Sequence, residues 1–332
     1  MRTLTVGKND AGQRADKFLQ KTLNGIPTAL LYKYFRKKCI KINGSKATPE
    51  VCLKAGDVIA LYISDEFFPS GHHVNDAIYM RDGMTLEQSE IIYQDENIMI
   101  IDKPQGELVH SSLPDEESRG TEICLVDRFL GYLYKSGQYN PDTEQSFVPS
   151  LCNRLDRNTC GLVIAAKNAN ALRIMNQKVK DREMIKLYHT VVIGKPKKDS
   201  AVLKDFLYKD RKQNRVFIAS SREQLKRLFK NATDSEIKTI ITKYKVLKSD
   251  KDKSLLEVEL VTGRTHQIRA HLAYIGTPIA GDGKYGINHS KDTGEKYQQL
   301  CSYSLKFKFT TDAGELNYLD NMTFKSKYDF AL

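Results

Sequence analysis

Apolar side chains near the start of the chain recur at the spacing of an α-helix. Ala15, Phe18 and Leu19 fall on one face, and Arg14 and Lys17 fall on the other. Because residues three and four apart share a helix face, the pattern predicts a short amphipathic helix with one basic side.

A second helix with a basic side is predicted directly afterwards. Pro27 is typical of a first helical position, and the apolar stripe consists of Leu30, Leu31, Tyr34 and Phe35. From Pro27 to Lys46 the chain carries six basic residues and no acidic one: Lys33, Arg36, Lys37, Lys38, Lys41 and Lys46. Such a surface favours a polyanionic partner, although one basic helix face is also often merely solvated.

Short strands complete this first region. Ile40 and Ile42 alternate with polar residues before Asn43-Gly44, a dipeptide typical of a hairpin turn, and residues 57–63 form a last apolar run. We therefore expect a small domain over residues 1–65.

A linker is expected over residues 66–88, where periodicity is lost and Gly, Pro and Asp accumulate. It contains His72-His73, but no carboxylate or cysteine stands at ligand spacing, so no metal site is expected there.

The second domain is expected over residues 89–332. Residues 90–104 form two apolar runs around an Asp-Glu-Asn turn, and further strand patterns occur at 161–167 and 186–194. Helical periodicity is found in residues 169–183. Strands outnumber helices without alternating strictly with them, which predicts an α+β fold with a largely antiparallel sheet. The charged residues Lys209 to Lys212 are interpreted as a solvated loop.

Composition narrows the class of protein. The 332 residues include 52 Lys and Arg against 41 Asp and Glu, a formal charge of +11, which favours nucleic acid as a partner. No apolar run reaches the length of a membrane span, and the start of the chain lacks the apolar block of a secretory signal, so a cytoplasmic protein without a membrane partner is expected. A monomer is the default expectation, because no coiled-coil repeat occurs.

Cysteine usage indicates no metal or disulfide framework. The six cysteines are scattered and form no Cys-x-x-Cys pair. That spacing is typical of reduced, mostly buried thiols and argues against a zinc knuckle.

Asp156 is the first candidate for chemistry. It stands between Arg154 and Arg157, ahead of an Asn158-Thr159 turn and an apolar run from Leu162 to Ala166. A nearby arginine favours the ionised carboxylate, which then serves as nucleophile or general base. A structural Asx turn or a surface ion pair gives the same local pattern.

A second candidate segment spans residues 261–286. Thr265 is a plausible N-cap of a helix that ends at Gly276, with Pro278 beyond. Arg264, His266, Gln267 and Arg269 gather near the helix start, where backbone N–H groups favour an anion such as a phosphate or the Asp156 carboxylate. His266 and His271 are five residues apart, so we expect hydrogen-bonding roles rather than a shared metal.

Cofactor motifs are not convincing. Gly281, Gly283 and Gly286 formally match the dinucleotide fingerprint, but no helical periodicity follows them. No phosphate-cradling loop or methyl-donor site is recognised, so chemistry without a cofactor is expected. Tyr188, in a predicted strand, is either a core residue or a platform on which an unpaired base stacks.

These segments together resemble the RluA-type family of pseudouridine synthases. The resemblance rests on NRLDRNTCGL, KLYHTVVIG and TGRTHQIRAHLAYIGTPIAGDGKYG, and also on IIYQDENIMIIDKPQGELVH and TKYKVL, in the family's order. Residues 12–63 separately resemble the small alpha-L RNA-binding motif. Asn153 and Cys160 depart from the family pattern, where many members carry His and Ser.

The resemblance implies roles for individual residues. Asp156 is the nucleophile, Arg264 its salt-bridge partner, Tyr188 the residue that stacks on the target base and assists proton removal, and Arg154 the residue that fills the gap left by a flipped base. The expected RNA-binding residues are Arg154, Lys33, Arg36, Lys37, Lys38, Arg14, Lys17, His266 and Arg269.

The expected substrate is uridine in large-subunit ribosomal RNA, isomerised to pseudouridine without cofactor or metal. Transfer RNA as substrate, or a non-catalytic RNA-binding factor in ribosome assembly, are the alternatives. A methyltransferase is a further rival, but it requires a methyl-donor loop that the sequence does not show.

Overall fold

The chain folds into two compact units. The computed structural model describes residues 1–68, 83–110, 123–141, 144, 146–286 and 294–332. The first unit comprises residues 1–86, 126–150 and 166–173, and the second comprises 87–125, 151–165 and 174–332. Most of the predicted linker, including His72-His73, lies outside the described residues.

The two amphipathic helices predicted near the start of the chain are confirmed. They are α1 (Ala15–Thr22) and α2 (Thr28–Arg36). Phe18, Leu19, Leu31 and Phe35 are buried in the core of the first unit. The basic side chains of α1 and α2 are exposed, as expected for helices that bury only one apolar stripe.

Antiparallel strands complete this unit. Within residues 1–68 the sheet has the order β1-β4-β2-β3, with β1 at Arg2–Thr5, β2 at Ile40–Ile42, β3 at Ser45–Lys46 and β4 at Val58–Leu61. Asn43 and Gly44 join β2 to β3 with φ of 49° and 77°. Two positive φ values are the requirement of a type I′ hairpin turn, so the predicted turn is confirmed.

The first unit is larger than residues 1–65, because two later segments belong to it. Asn9 donates to Glu144 across 2.8 Å, and Gln13 donates to Ser146 across 2.9 Å. A Cβ added to Gly131 would lie 1.9 Å from the carbonyl oxygen of Met84, so glycine is required there. Residues 126–150 and 166–173 were expected in the second domain, but such long-range pairs leave no trace in local composition.

The second unit contains a large, mostly antiparallel sheet, as predicted for an α+β fold. Among the described residues its strands run in the order β11-β10-β12-β13-β9-β14-β8-β6-β5, with β15 beside β14 and β7 beside β8. The strands β8 and β14 run parallel. Their bounds are β5 Ile91–Gln94, β6 Ile98–Lys103, β7 Ser150–Leu151, β8 Cys160–Ala166, β9 Met184–Ile193, β10 Ser200–Asp210, β11 Arg215–Ala219, β12 Lys238–Ser249, β13 Lys253–Leu260, β14 Leu300–Phe307 and β15 Thr323–Lys325.

The other α-helices of the described residues are α3 (Leu125–Lys135), α4 (Ala169–Lys180), α5 (Arg222–Leu228) and α6 (Gln267–Tyr274). Within the described part of the chain, no helix has the length and apolar character needed to cross a membrane.

The interpretation of Lys209 to Lys212 as a solvated loop is partly wrong. Lys209 and Asp210 end β10, and only Arg211 and Lys212 lie in the turn toward β11. The strands β10 and β11 form here because apolar residues on both sides of the charged turn, including Leu207 and Val216, pack into one buried cluster.

Candidate active site

A groove in the second unit brings the candidate residues together. Its walls include Asp156, Tyr188, Arg264, His266 and Arg269. They come from the loop before β8, from β9 and from the start of α6, which are far apart in the sequence. The expectation that Asp156, Tyr188 and the 261–286 segment share one site is therefore met by the geometry.

The loop that carries Asp156 is tied to the strand that follows it. The Asn153 side chain accepts a hydrogen bond from the backbone N–H of Ile164 at 2.7 Å. Gly161 has φ 104°, and a Cβ there would lie 2.3 Å from the carbonyl oxygen of Ser302. Asn153 thus fixes the loop, whereas Cys160 is buried and its thiol lies 3.7 Å from the Leu300 carbonyl oxygen. Of the two departures from the family pattern, Asn153 lines the groove itself, and Cys160 does not.

Lys103 holds the other end of this loop, and sequence reasoning missed it. The side chain is fully buried, and Nζ donates to the carbonyl oxygens of Pro104, Glu107 and Arg157 at 2.7, 2.9 and 3.0 Å. Burial lowers the pKa of Lys103 to about 8. The sequence does contain a signal for this role, namely a lysine at the end of an apolar strand. If such a lysine is buried, its ammonium needs hydrogen-bond acceptors such as these carbonyl oxygens.

Arg269, not Arg264, is the salt-bridge partner of Asp156. Nη1 of Arg269 donates to Oδ2 of Asp156 at 2.8 Å. The Nε and Nη2 atoms of Arg269 donate to the two carboxylate oxygens of Asp282 at 2.8 and 2.9 Å. Although burial opposes the charge, these carboxylates raise the pKa of Arg269, so it remains a cation.

The fold of the helix start explains why the prediction of Arg264 was wrong. His266 adopts a left-handed conformation with φ 51°, and α6 begins at Gln267 rather than after a Thr265 cap. Gln267 accepts from the backbone N–H of Arg264 at 3.2 Å. Within the first turn of the helix, Arg269 reaches Asp156, while the Arg264 guanidinium makes no ion pair with the described residues and lines the groove.

The glycine-rich segment at 281–286 supports the site rather than a nucleotide. Asp282 is buried and accepts from the backbone N–H groups of Lys284 and Tyr285 at 2.9 and 3.1 Å. Gly281 has φ 74°, and a Cβ there would lie 2.3 Å from the carbonyl oxygen of Tyr297. This turn therefore presents Asp282 to Arg269, a role that no sequence pattern indicated.

Tyr188 is both a core residue and a groove residue. Its side chain packs with Ile268 and Leu272 of α6, and only 6% of the residue is exposed. Burial raises the pKa of Tyr188 to about 12. The phenol is therefore protonated at neutral pH, and its ring lies in the same groove as Asp156.

Cations line the same groove. Arg154 is exposed beside Asp156, and Lys180, Arg182, Lys186 and Lys209 contribute to the walls. The sequence did not indicate that these four bind RNA, because they stand in separate segments of the second unit: the end of α4, the turn after it, β9 and the end of β10. A groove with this charge fits an RNA backbone.

The basic side chains expected in the first unit are also exposed. They are Arg14, Lys17, Lys33, Arg36, Lys37 and Lys38. Arg14 differs from the others because its guanidinium donates twice to Asp16, at 3.0 and 2.9 Å. That bidentate pair offsets part of the Arg14 charge, so Arg14 offers less charge to an anion than the cations in and directly after α2, which are Lys33, Arg36, Lys37 and Lys38 (the α2 cations).

The two histidines of the 261–286 segment make hydrogen bonds, as expected. Nδ1 of His266 lies 2.8 Å from the Tyr285 hydroxyl oxygen, and Nδ1 of His271 lies 3.0 Å from the Thr242 hydroxyl oxygen. Across the described ranges, no group of three or more His, Cys, Asp or Glu side chains is placed to hold a metal ion.

The family of the protein follows from comparison with known proteins. The model of the RNA pseudouridylate synthase family matches residues 97–274, more than half of the chain. The protein belongs to this family. It is therefore an RNA pseudouridine synthase, an isomerase that converts uridine to pseudouridine, and the resemblance to RluA-type enzymes is confirmed.

Relatives of this pseudouridine synthase match along almost its whole length. An uncharacterized RNA pseudouridine synthase of Mycoplasma capricolum is 31% identical, over 97% of this chain and 96% of its own. The ribosomal large subunit pseudouridine synthase C of Escherichia coli is 28% identical, over 93% and 89%.

A solved structure supports the fold of the synthase. The human RNA pseudouridylate synthase domain containing 4 matches 72% of this chain and 88% of its own with a TM-score of 0.52. Its sequence is 20% identical, so the likeness concerns the fold alone.

Proposed function

We propose that this synthase isomerises specific uridines in large-subunit ribosomal RNA, with Asp156 as the nucleophile and with no cofactor. The observation that carries the proposal is the fixed carboxylate: Asp156 is bound by Arg269, which Asp282 holds in turn, in a groove shared with Tyr188. The ribosomal substrate is supported by relatives named ribosomal large subunit pseudouridine synthase C.

The arrangement of Asp156 leaves one oxygen available for chemistry. Arg269 binds Oδ2, whereas Oδ1 accepts no hydrogen bond from the described residues. Oδ1 is thus the atom for attack on the anomeric carbon, for attack on carbon 6 of the ring, or for removal of the 2′-proton. An oriented carboxylate is suited to each of these steps.

The reaction itself needs no further reagent. The bond from the anomeric carbon to N1 breaks, the same uracil rebonds through carbon 5, carbon 5 loses its proton, and N1 takes up a proton. No electron is gained or lost overall, and no second substrate enters. A positioned carboxylate and a cationic groove therefore supply what the chemistry requires.

The target base must leave its stack before it reaches Asp156. Unstacking costs a few kcal/mol, which contacts to phosphates offset. In our proposal Arg154, exposed at the groove, fills the gap that the base leaves, and the Tyr188 ring stacks on the flipped uracil. His266 and Arg269 face the same base from the start of α6.

The first unit is proposed to provide affinity for structured RNA. Its exposed α2 cations and its similarity to the alpha-L plan support this role. Contacts to phosphates bind without reading sequence, so they position the RNA while the groove selects the uridine.

The test is to incubate the purified enzyme with unmodified large-subunit ribosomal RNA and with unmodified transfer RNA, and to locate pseudouridine in each. We expect defined sites in the ribosomal RNA alone. Pseudouridine confined to transfer RNA would replace the proposed substrate. Tight binding to ribosomal RNA without isomerisation would favour the assembly-factor alternative.

A further inference from the structure

His266 is the residue directly before α6. Its backbone is left-handed, and only 12% of the side chain is exposed. The ring lies in the groove wall, with Nε2 4.0 Å from Oδ2 of Asp156. The other ring nitrogen, Nδ1, is 2.8 Å from the hydroxyl oxygen of Tyr285.

Tyr285 determines which nitrogen of His266 carries the proton. The Tyr285 hydroxyl is buried and accepts a hydrogen bond from the backbone N–H of Val216 at 3.0 Å. Among the described residues, the remaining partner of this hydroxyl is His266. The Tyr285 hydroxyl therefore donates its hydrogen bond to Nδ1, since a buried O–H without an acceptor is unfavourable. Because Nδ1 acts as the acceptor, the proton of the neutral His266 ring is on Nε2.

The ring is neutral at physiological pH. Burial lowers the pKa of His266 to about 4, and Arg269 and Lys284 act in the same direction. Asp156 and Asp282 face the ring as well and act against this effect, but burial dominates. His266 therefore presents an uncharged N–H donor to the groove.

Among the described residues, this donor has no acceptor within hydrogen-bonding distance on the Asp156 side. A separation of 4.0 Å is too long for a hydrogen bond, so the Nε2–H group does not bind the carboxylate. The acceptor must then come from what enters the groove beside Asp156. The substrate offers oxygens at this position.

The chemistry identifies one of these oxygens. When the bond from the anomeric carbon to N1 breaks, its electron pair stays on uracil, and the negative charge spreads to N1 and to the carbonyl oxygens O2 and O4. O2 is attached next to N1 and is the carbonyl oxygen nearest the anomeric carbon. A donor close to Asp156 therefore meets O2 when Asp156 acts at the sugar.

We propose that the neutral Nε2–H group of His266 donates a hydrogen bond to O2 of the detached uracil, with Tyr285 as the residue that positions it. This inference rests on the proposed function. The charge is transient: an electron pair of the uracil forms the new bond from carbon 5 to the anomeric carbon, carbon 5 then releases its proton, and N1 takes up a proton. A preorganised donor that meets charge only during reaction raises the rate more than the affinity.

The test uses a ribosomal RNA fragment that contains the modified uridine, and it compares His266→Gln with His266→Asn. The Gln amide reaches as far as Nε2, whereas the Asn amide is too short, and Asn tolerates the left-handed backbone. We expect His266→Asn to lower the single-turnover rate about 10²-fold. His266→Gln and Tyr285→Phe should fall between His266→Asn and the wild type, with RNA affinity unchanged throughout.

A substrate substitution locates the acceptor. With 2-thiouridine at the target position, the wild type should slow strongly and His266→Asn should slow little further, because sulfur accepts hydrogen bonds poorly. With 4-thiouridine, both proteins should slow by the same factor. Equal sensitivity of both proteins to 2-thiouridine, or a loss of RNA affinity in place of rate, would overturn the inference. An inactive wild type would instead refute the proposed function.

Discussion

Nη1 of Arg269 lies 2.8 Å from Oδ2 of Asp156 while Asp282 binds the other two donor atoms of the same guanidinium. The Arg269 side chain is 10% exposed, and that of Asp282 is fully buried. Because three hydrogen bonds fix one planar group, the direction of the Asp156 carboxylate is set by the protein before RNA arrives.

Replacing Arg269 by lysine should impair catalysis more than binding. A lysine ammonium cannot keep the planar, three-bond geometry, so Asp156 loses its fixed direction. We expect the single-turnover rate of Arg269→Lys to fall about 10²-fold or more, with RNA affinity within a few-fold of the wild type. Arg269→Ala should also lower the free energy of unfolding by about 3–5 kcal/mol, because Asp282 is left buried without its partner.

Arg264→Lys is the matched control for this substitution. Arg264 lines the same groove but makes no ion pair with the described residues, so we expect a change in RNA affinity and little change in rate. Rate losses of equal size in the two lysine variants would show that the Arg269 bridge has no special role.

Two substitutions of Tyr188 should separate stacking from proton transfer. Tyr188→Phe keeps the ring and removes a hydroxyl that is protonated at neutral pH and can act as a proton donor, so RNA affinity should stay unchanged while isomerisation slows about 10²-fold, a typical contribution of a positioned acid. Tyr188→Leu should weaken binding too, because stacking contributes about 1–3 kcal/mol per base. A Phe variant as fast as the wild type would leave stacking as the role of Tyr188.

Lys103 should make activity sensitive to pH. With a pKa of about 8, its ammonium loses a proton as the pH rises through 8, and the neutral amine has two N–H groups for three carbonyl oxygens. The loop that carries Asp156 then loses one hydrogen bond. We expect the single-turnover rate of the wild type to fall between pH 7 and 9. The Lys103→Met variant should be slow throughout this range, and its rate should not fall in this way.

The stability contribution of Lys103 should change in the opposite direction. Between the folded pKa of about 8 and the ordinary value of 10.5, the unfolded chain binds a proton that the folded chain does not. Stability therefore rises with pH in this window. The difference in unfolding free energy between wild type and Lys103→Met, measured by urea at pH 7 and at pH 9.5, should move in favour of the wild type at the higher pH; movement the other way would contradict the assigned pKa.

The α2 cations should control how RNA binding depends on salt. Replacing Lys33, Arg36 and Lys37 together by alanine should reduce the slope of log affinity against log salt by about 2 to 3, since each phosphate contact contributes about 0.7 to 0.9. The turnover of bound RNA should not change. Replacing Lys8, Lys54 and Lys135, which are exposed cations of the same unit, removes the same charge away from α2. Equal slopes in the two triple variants would show that the salt dependence of RNA binding reflects the net charge of the protein and not the position of the α2 cations.

The sequence predicted correctly those structural elements that depend on residues close together in the chain. The stripe of α1, the hairpin turn at Asn43-Gly44 and the end of α6 at Gly276 with φ 88° follow from periodicity and backbone preference. The strand β1 and the attachment of residues 126–150 to the first unit depend on partners far along the chain, such as Asn9 and Glu144.

The same distinction applies to the site. Asp156 and Tyr188 stand in segments with recognisable sequences, and both line the groove. The choice between Arg264 and Arg269 depended on the left-handed backbone of His266, which shifts the helix start by one residue. Asp282 and Lys103 act through burial and through bonds to Arg269 and to loop carbonyls, so only the folded chain identifies them.

Tritium release from RNA labelled at carbon 5 of uridine, measured in single turnover without added cofactor or metal, tests whether Asp156 is the nucleophile. Wild type is compared with Asp156→Asn, and with Asp199→Asn as a control, since the Asp199 side chain is 82% exposed. We predict release by the wild type and by Asp199→Asn, and none by Asp156→Asn at unchanged RNA affinity. Release by Asp156→Asn at the rate of the wild type would contradict the assignment of the nucleophile.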